Sequence, residues 1–178
     1  MWPALVSALG TAYVRSGRVM EGRGRLQDAL DRRAYKKAGN YTFFYLLVAA
    51  AEAEAATGHS DVAAGRAEHA EHLARVNGER AHLAQALHLR AHILAPHDAG
   101  VAERLFVEAR TAAERCLMRP LIADCWLGLA AVARLTDPSR SAHAAEVAAA
   151  LLHELGLDGH VRWGHAGVPR HADSTPRA

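Results

Sequence analysis

Leu9-Gly10-Thr11-Ala12-Tyr13, followed by Gly17 and then by Gly22, Leu26 and Ala29, is the stretch that decides the fold of this 178-residue chain. Its small residue, Gly10, returns as Ala51, Ala91 and Ala130, in steps of 41, 40 and 39 residues. A small side chain at that position lets two antiparallel helices approach closely. The large side chain that follows fills the gap between one helix pair and the next. Self-similarity at a near-constant period is the mark of stacked repeats, each burying one face on its neighbour. The pattern therefore predicts an all-α superhelix of about four antiparallel helix pairs.

Apolar periodicity and punctuation divide the chain into eight helices. The spacing predicts them at about Pro3–Ser16, Val19–Tyr35, Tyr41–Thr57, Ser60–Val76, Glu79–Ala95, Gly100–Leu117, Pro120–Thr136 and Pro138–Leu155. Gly17 suits a left-handed cap after the first helix. Ser60 is the expected N-cap of the fourth. Pro120 falls where a first-turn proline is tolerated, and Asp137-Pro138 reads as an N-cap followed by a helix-starting proline. Strand signals are missing. After Gly156 the period is lost, so residues 1–157 are expected to form one repeat domain and residues 158–178 a mostly disordered tail.

Bulk composition excludes several classes. Apolar residues make up 51% and charged residues 22%, which suits a globular core and not a disordered chain. The formal charge is +2 with both signs interspersed, so no electrostatic footprint for nucleic acid or an anionic membrane is expected. The longest apolar run, Tyr41 to Ala51, is too short to span a bilayer. Arginine outnumbers lysine 19 to 2, a bias that points to a GC-rich bacterial genome. Cys116 and Cys125 read as reduced thiols on different helices. No secretion signal is read at the N-terminus, and a cytoplasmic location is expected.

The repeat pattern resembles tetratricopeptide repeats, with a longer period and with the characteristic tyrosine, Tyr13, only in the first copy. A more specific likeness lies in Met118-Arg119-Pro120-Leu121-Ile122-Ala123-Asp124-Cys125-Trp126-Leu127-Gly128-Leu129. It resembles the C-terminal repeat region of large bacterial signalling and transcriptional regulator proteins. Those combine an adenylate/guanylate-cyclase-type or DNA-binding output domain with an ATPase domain and helical repeats. Gly78 to Ala91 is similar to the repeat that precedes this stretch in the same group. The resemblance spans residues 1–157 and is strongest over 78–130. It implies a regulatory context, but none of the catalysis: no G-x-x-x-x-G-K-[ST] phosphate loop surrounds Lys36-Lys37, and no metal-binding aspartate pair can be placed.

In repeats of this kind the first helix of each pair lines the concave wall. The residues expected there as partner-binding candidates are Arg15, Tyr45, Glu52, Gln85, His88, His92, Asp124 and Arg134, with Ser7, Thr11, Val48 and Leu127 beside them. They compose a mixed polar and aromatic surface able to hydrogen-bond a peptide. His88 and His92 lie four apart on one helix face, as metal ligands do, and His69 and His72 are placed similarly. Neither pair has an HExxH context or a third ligand, so no metal and no cofactor is expected. Cys125 sits between apolar neighbours, where a buried inert thiol is expected. Glu52 and Glu54, two apart, point to different faces and cannot serve as a paired acid and base. In the aromatic group Tyr41, Phe43, Phe44 and Tyr45, Phe44 reads as core.

These residues point to a non-enzymatic scaffold for a protein or peptide partner in a bacterial regulatory or signalling system. An alternative is a regulatory module that senses a small molecule in the groove. Another is the C-terminal remnant of a cyclase- or ATPase-type protein. The last helix pair needs a cover: Trp163 supplies it, or the end face stays open to a partner such as a second copy of the chain.

Overall fold

The computed structural model describes residues 3–31 and 39–157. Eight α-helices follow one another there: α1 (Pro3–Arg15), α2 (Val19–Asp31), α3 (Gly39–Ala56), α4 (Ser60–Val76), α5 (Arg80–Leu94), α6 (Ala99–Arg115), α7 (Arg119–Ala133) and α8 (Pro138–Glu154). No strand occurs among the described residues. The expected continuation of α2 to Tyr35, residues 36–38 of the polar connector expected from Lys36 to Asn40, the Tyr41 side chain and the tail with Trp163 lie outside the described residues, and Gly39 and Asn40 already belong to α3.

Left-handed turns break the chain where glycine makes them inexpensive. Gly17 and Gly58 have φ +82° and Gly78 has φ +68°. In each turn the amide beyond the glycine reaches back into the helix just ended. Arg18 N–H donates to the Tyr13 carbonyl, His59 to Glu54 and Glu79 to Ala74, each at 2.9 Å. Between α6 and α7 the same turn is made by Leu117 at φ +55°, an exposed leucine in a conformation that costs an L-residue about 1–2 kcal/mol. The turns into α6 and α8 use aspartate caps. The Asp98 carboxylate accepts the Val101 amide at 2.8 Å, and that of Asp137 accepts the Arg140 amide at 3.0 Å.

The fourth helix departs from expectation. Its N-cap is His59, with no side-chain cap hydrogen bond, and Ser60 is already the first helical residue. The Gly58 turn ties His59 to its preceding helix, so the cap position falls one residue early. The His59 ring bonds the Thr57 hydroxyl at 2.8 Å instead.

Each helix packs on the next, and the odd-numbered helices also touch in succession, α1 on α3, α3 on α5 and α5 on α7. Even-numbered helices approach one another less closely and meet through side-chain ion pairs, so the stack is tighter on its odd side. The core is a series of clusters rather than one centre. Val6, Val14, Leu26, Ala29, Leu46 and Ala50 join α1, α2 and α3. Ala91, Ala102, Phe106, Leu129, Ala130 and Ala144 join α5 through α8.

The repeating small residues sit at the tightest contacts. A Cβ on Gly10 would stand 2.5 Å from Leu26 Cγ, and Ala51 and Ala91 are fully buried. At the last junction the closest approach falls two residues before Ala130, at Gly128, where a Cβ would overlap the Phe106 ring. α8 buries Ala144 and Ala148, and none of the strongly exposed large apolar side chains belongs to it.

Carboxylates bridge the helices. Glu54 of α3, 2% exposed, pairs with Arg23 of α2 at 2.9 Å and with Arg66 of α4 at 3.4 Å. Glu71 of α4 pairs with Arg75 at 2.9 Å and with Arg90 of α5 at 2.7 Å, while Arg75 also reaches Glu108 of α6 at 2.6 Å. Arg140–Glu103 and Arg119–Glu154 tie α8 to α6 and α7.

Glycine-to-alanine exchange separates the packing roles. Gly10→Ala and Gly128→Ala are expected to lower stability by about 1–3 kcal/mol through overpacking. Gly24→Ala and Gly65→Ala, in helix interiors with open space at the Cβ position, should raise it by roughly 0.5–1 kcal/mol. Urea unfolding of the four variants checks both signs.

Candidate functional site

The inward faces of the odd helices enclose a cavity of about 520 Å³, a size common for small-molecule sites. Helical spacing supplies its lining. α1 contributes Ser7, Thr11 and Arg15, four residues apart on one face; α3 contributes Thr42, Tyr45, Val48, Ala49 and Glu52; α5 contributes Gln85, His88 and Leu89. Leu121, near the start of α7, closes the far end.

Arg15, Tyr45, Glu52, Gln85 and His88, all expected on the concave wall, are thus brought together. His92 is behind the wall, with its Nε2 at 3.1 Å from Nε2 of His88. Asp124 is buried, and its backbone hydrogen-bonds His88. Arg134 caps the C-terminus of α7 in solvent and does not line the cavity. Ala8, Thr42, Ala49, Leu89 and Leu121 line it without having been expected on the wall. The first four follow from the same helical faces, whereas Leu121 depends on how far the stack curves.

Glu52 is the electrostatic centre of the cavity. Its Oε1 is buried and has no hydrogen-bond partner among the described residues. Burial pushes its carboxyl up to about 7, against the opposing pull of the Arg15 guanidinium. Glu54 lies 200° around the same helix by the 100° helical step, and it meets arginines instead of a cavity. The two carboxyls face different surroundings, as their spacing predicts.

His88 is 3% exposed, and burial together with the neighbouring His92 holds its imidazole well below the ordinary value. His88 is therefore neutral where it meets His92. Both rings also pack edgewise on Phe106, at 5.8 and 4.9 Å between centroids. Among the described residues no group of three His, Cys, Asp or Glu side chains is placed to hold a metal ion.

Cys125 is fully buried, and burial, with the Asp124 carboxyl adding to it, pushes its thiol up to about 12. It carries almost no thiolate at neutral pH. Cys116 is half-buried at the end of α6, and both thiols are free. Phe44 is fully buried and stacks on His82 at 4.2 Å, while Tyr45 meets the same imidazole edgewise at 5.3 Å.

The chain matches no protein-family model, no curated protein and no solved structure. Among the described residues no helix is long and apolar enough to cross a membrane.

Glu52 makes stability depend on pH with a definite sign. Folding raises its carboxyl from 4.5 to about 7, so the native state holds a proton that the unfolded chain releases between those values. Its contribution falls as pH rises through that interval and is flat above it. Glu52→Gln should therefore gain on wild type by on the order of 2–3 kcal/mol between pH 4.5 and 8. Urea midpoints of both proteins across that range check this, and a constant difference would contradict it.

Proposed function

We propose that the chain is a non-enzymatic helical-repeat scaffold that recognises a protein or peptide partner on its inner wall, within a bacterial regulatory or signalling system. The observation that carries this reading is the convergence of α1, α3 and α5 on one cavity that combines apolar surface with the half-buried polar side chains of Thr11, Tyr45 and Gln85. A surface of that make-up suits recognition by hydrogen bonds around an apolar anchor. The regulatory setting rests on the tetratricopeptide-like period and on the likeness of residues 78–130 to the repeat regions of cyclase- and ATPase-type regulators. Two free thiols fit a cytoplasmic location.

A second reading, a module that senses a small molecule, draws on a different feature. The recess is local, bounded by α1, α3, α5 and the start of α7, and does not extend along the wall to Arg134. Ion pairs bridge α2 to α3, α3 to α4, α4 to α5 and α4 to α6 outside it. A ligand that wedges the odd helices apart would shift these bridges and so change the curvature of the stack.

Affinity capture from the native host tests the first reading. Wild type and Arg104→Ala, altered at an exposed α6 position, should retain the same protein. Gln85→Trp, which fills the cavity, should lose it by tenfold or more with helicity unchanged. Equal retention by all three would overturn inner-wall recognition.

A further inference from the structure

We propose that the inner-wall cavity is a site for a small molecule with an apolar body and a protonated amine, the ammonium pairing with Glu52. This inference rests on the small-molecule reading of the cavity. It begins with what the wall lacks. A carboxyl withdrawn from water needs a hydrogen-bond or charge partner, and Glu54, two residues away, has two arginines. Glu52 Oε1 has no hydrogen-bond partner among the described residues, and its carboxyl opens on about 520 Å³ of space. A ligand ammonium entering that space supplies the missing hydrogen-bond donor and brings a positive charge with it.

The other walls define the rest of the molecule. Ala8, Val48, Ala49, Leu89 and Leu121 present hydrocarbon, which suits an aliphatic or aromatic body. Tyr45 adds an aromatic ring to the same cavity, two helical turns before Glu52 on the same face, and a ring face attracts a cation. The charged and titratable groups facing Glu52 are Arg15 from α1, Tyr45 from its own helix and His88 from α5. Arg15 is exposed, so its repulsion of an incoming cation is screened by water and salt, while its pull favours the ionised carboxyl. His88 is neutral at physiological pH and adds no opposing charge.

The proton balance follows. Below about pH 7 the empty site holds Glu52 protonated. Pairing with an ammonium requires the carboxylate, so that proton leaves to solvent as the amine binds. Between pH 6 and 8 the ionised fraction of a carboxyl near 7 rises roughly tenfold, and affinity should rise with it.

The test is calorimetric titration of the full chain with three molecules that share one body: 2-phenylethylamine, 2-phenylethanol and 3-phenylpropionate. The amine should bind at least tenfold more tightly than the alcohol at pH 8, and more tightly at pH 8 than at pH 6. At pH 6 its heat should vary with the buffer's ionisation enthalpy, as proton release requires. Glu52→Gln should bind amine and alcohol alike. Equal wild-type affinity for amine and alcohol, or a preference for the acid, overturns the amine assignment and leaves a small-molecule cavity standing. Binding of none of the three overturns both.

Discussion

A large side chain pressed against a residue that has no room for a Cβ underlies the rest of this structure. Leu26 leans on Gly10 within the first pair, and Phe106 leans on Gly128 across the last junction. Such contacts bring helix axes closer than two ordinary side chains would permit. With the fully buried Ala51 and Ala91 at the intervening repeat positions, they let successive helices pack closely along the stack. The odd helices then touch in succession, while the even ones stand further apart and are bridged by ion pairs. A wall of odd-helix faces follows, and the cavity is what those faces leave unfilled.

Two glutamates on α3 show how the same stack handles charge in opposite ways. Glu54 is turned toward the neighbouring helices, and its burial is offset by Arg23 and Arg66. Removing one partner of such a buried set costs several kcal/mol, so the set fixes how the first two pairs sit together. Glu52 is turned toward the cavity, where burial outweighs the pull of the Arg15 guanidinium. The first arrangement is structural. The second leaves a polar group held at a cost to stability, which is where a binding site is expected.

Much of the fold was legible in the sequence because it rests on local rules. Gly17 marks a left-handed turn, and Asp137-Pro138 marks a helix start; each needs only a few neighbouring residues to be recognised. Leu117 escaped notice as a left-handed residue, since nothing about an exposed leucine signals that conformation. Ser60 looked like a cap because its chemistry suits one, but the Gly58 turn assigns the position to His59. The inner-wall residues of α1, α3 and α5 followed from helical spacing. Arg134 did not join them, because the curvature that sets where the cavity ends is a sum of many contacts along the stack. The bridges from Glu54 and Glu71 were equally invisible, as each links residues of separate helices.

Urea unfolding of Ala91→Trp tests most directly whether small residues at the repeating position hold the stack together. Ala91 is fully buried among Phe106, Ala102 and Leu129, so an indole there has no space unless the pairs separate. The nested stack predicts a loss of about 1–3 kcal/mol or more. An unfolding midpoint and slope equal to wild type would contradict it.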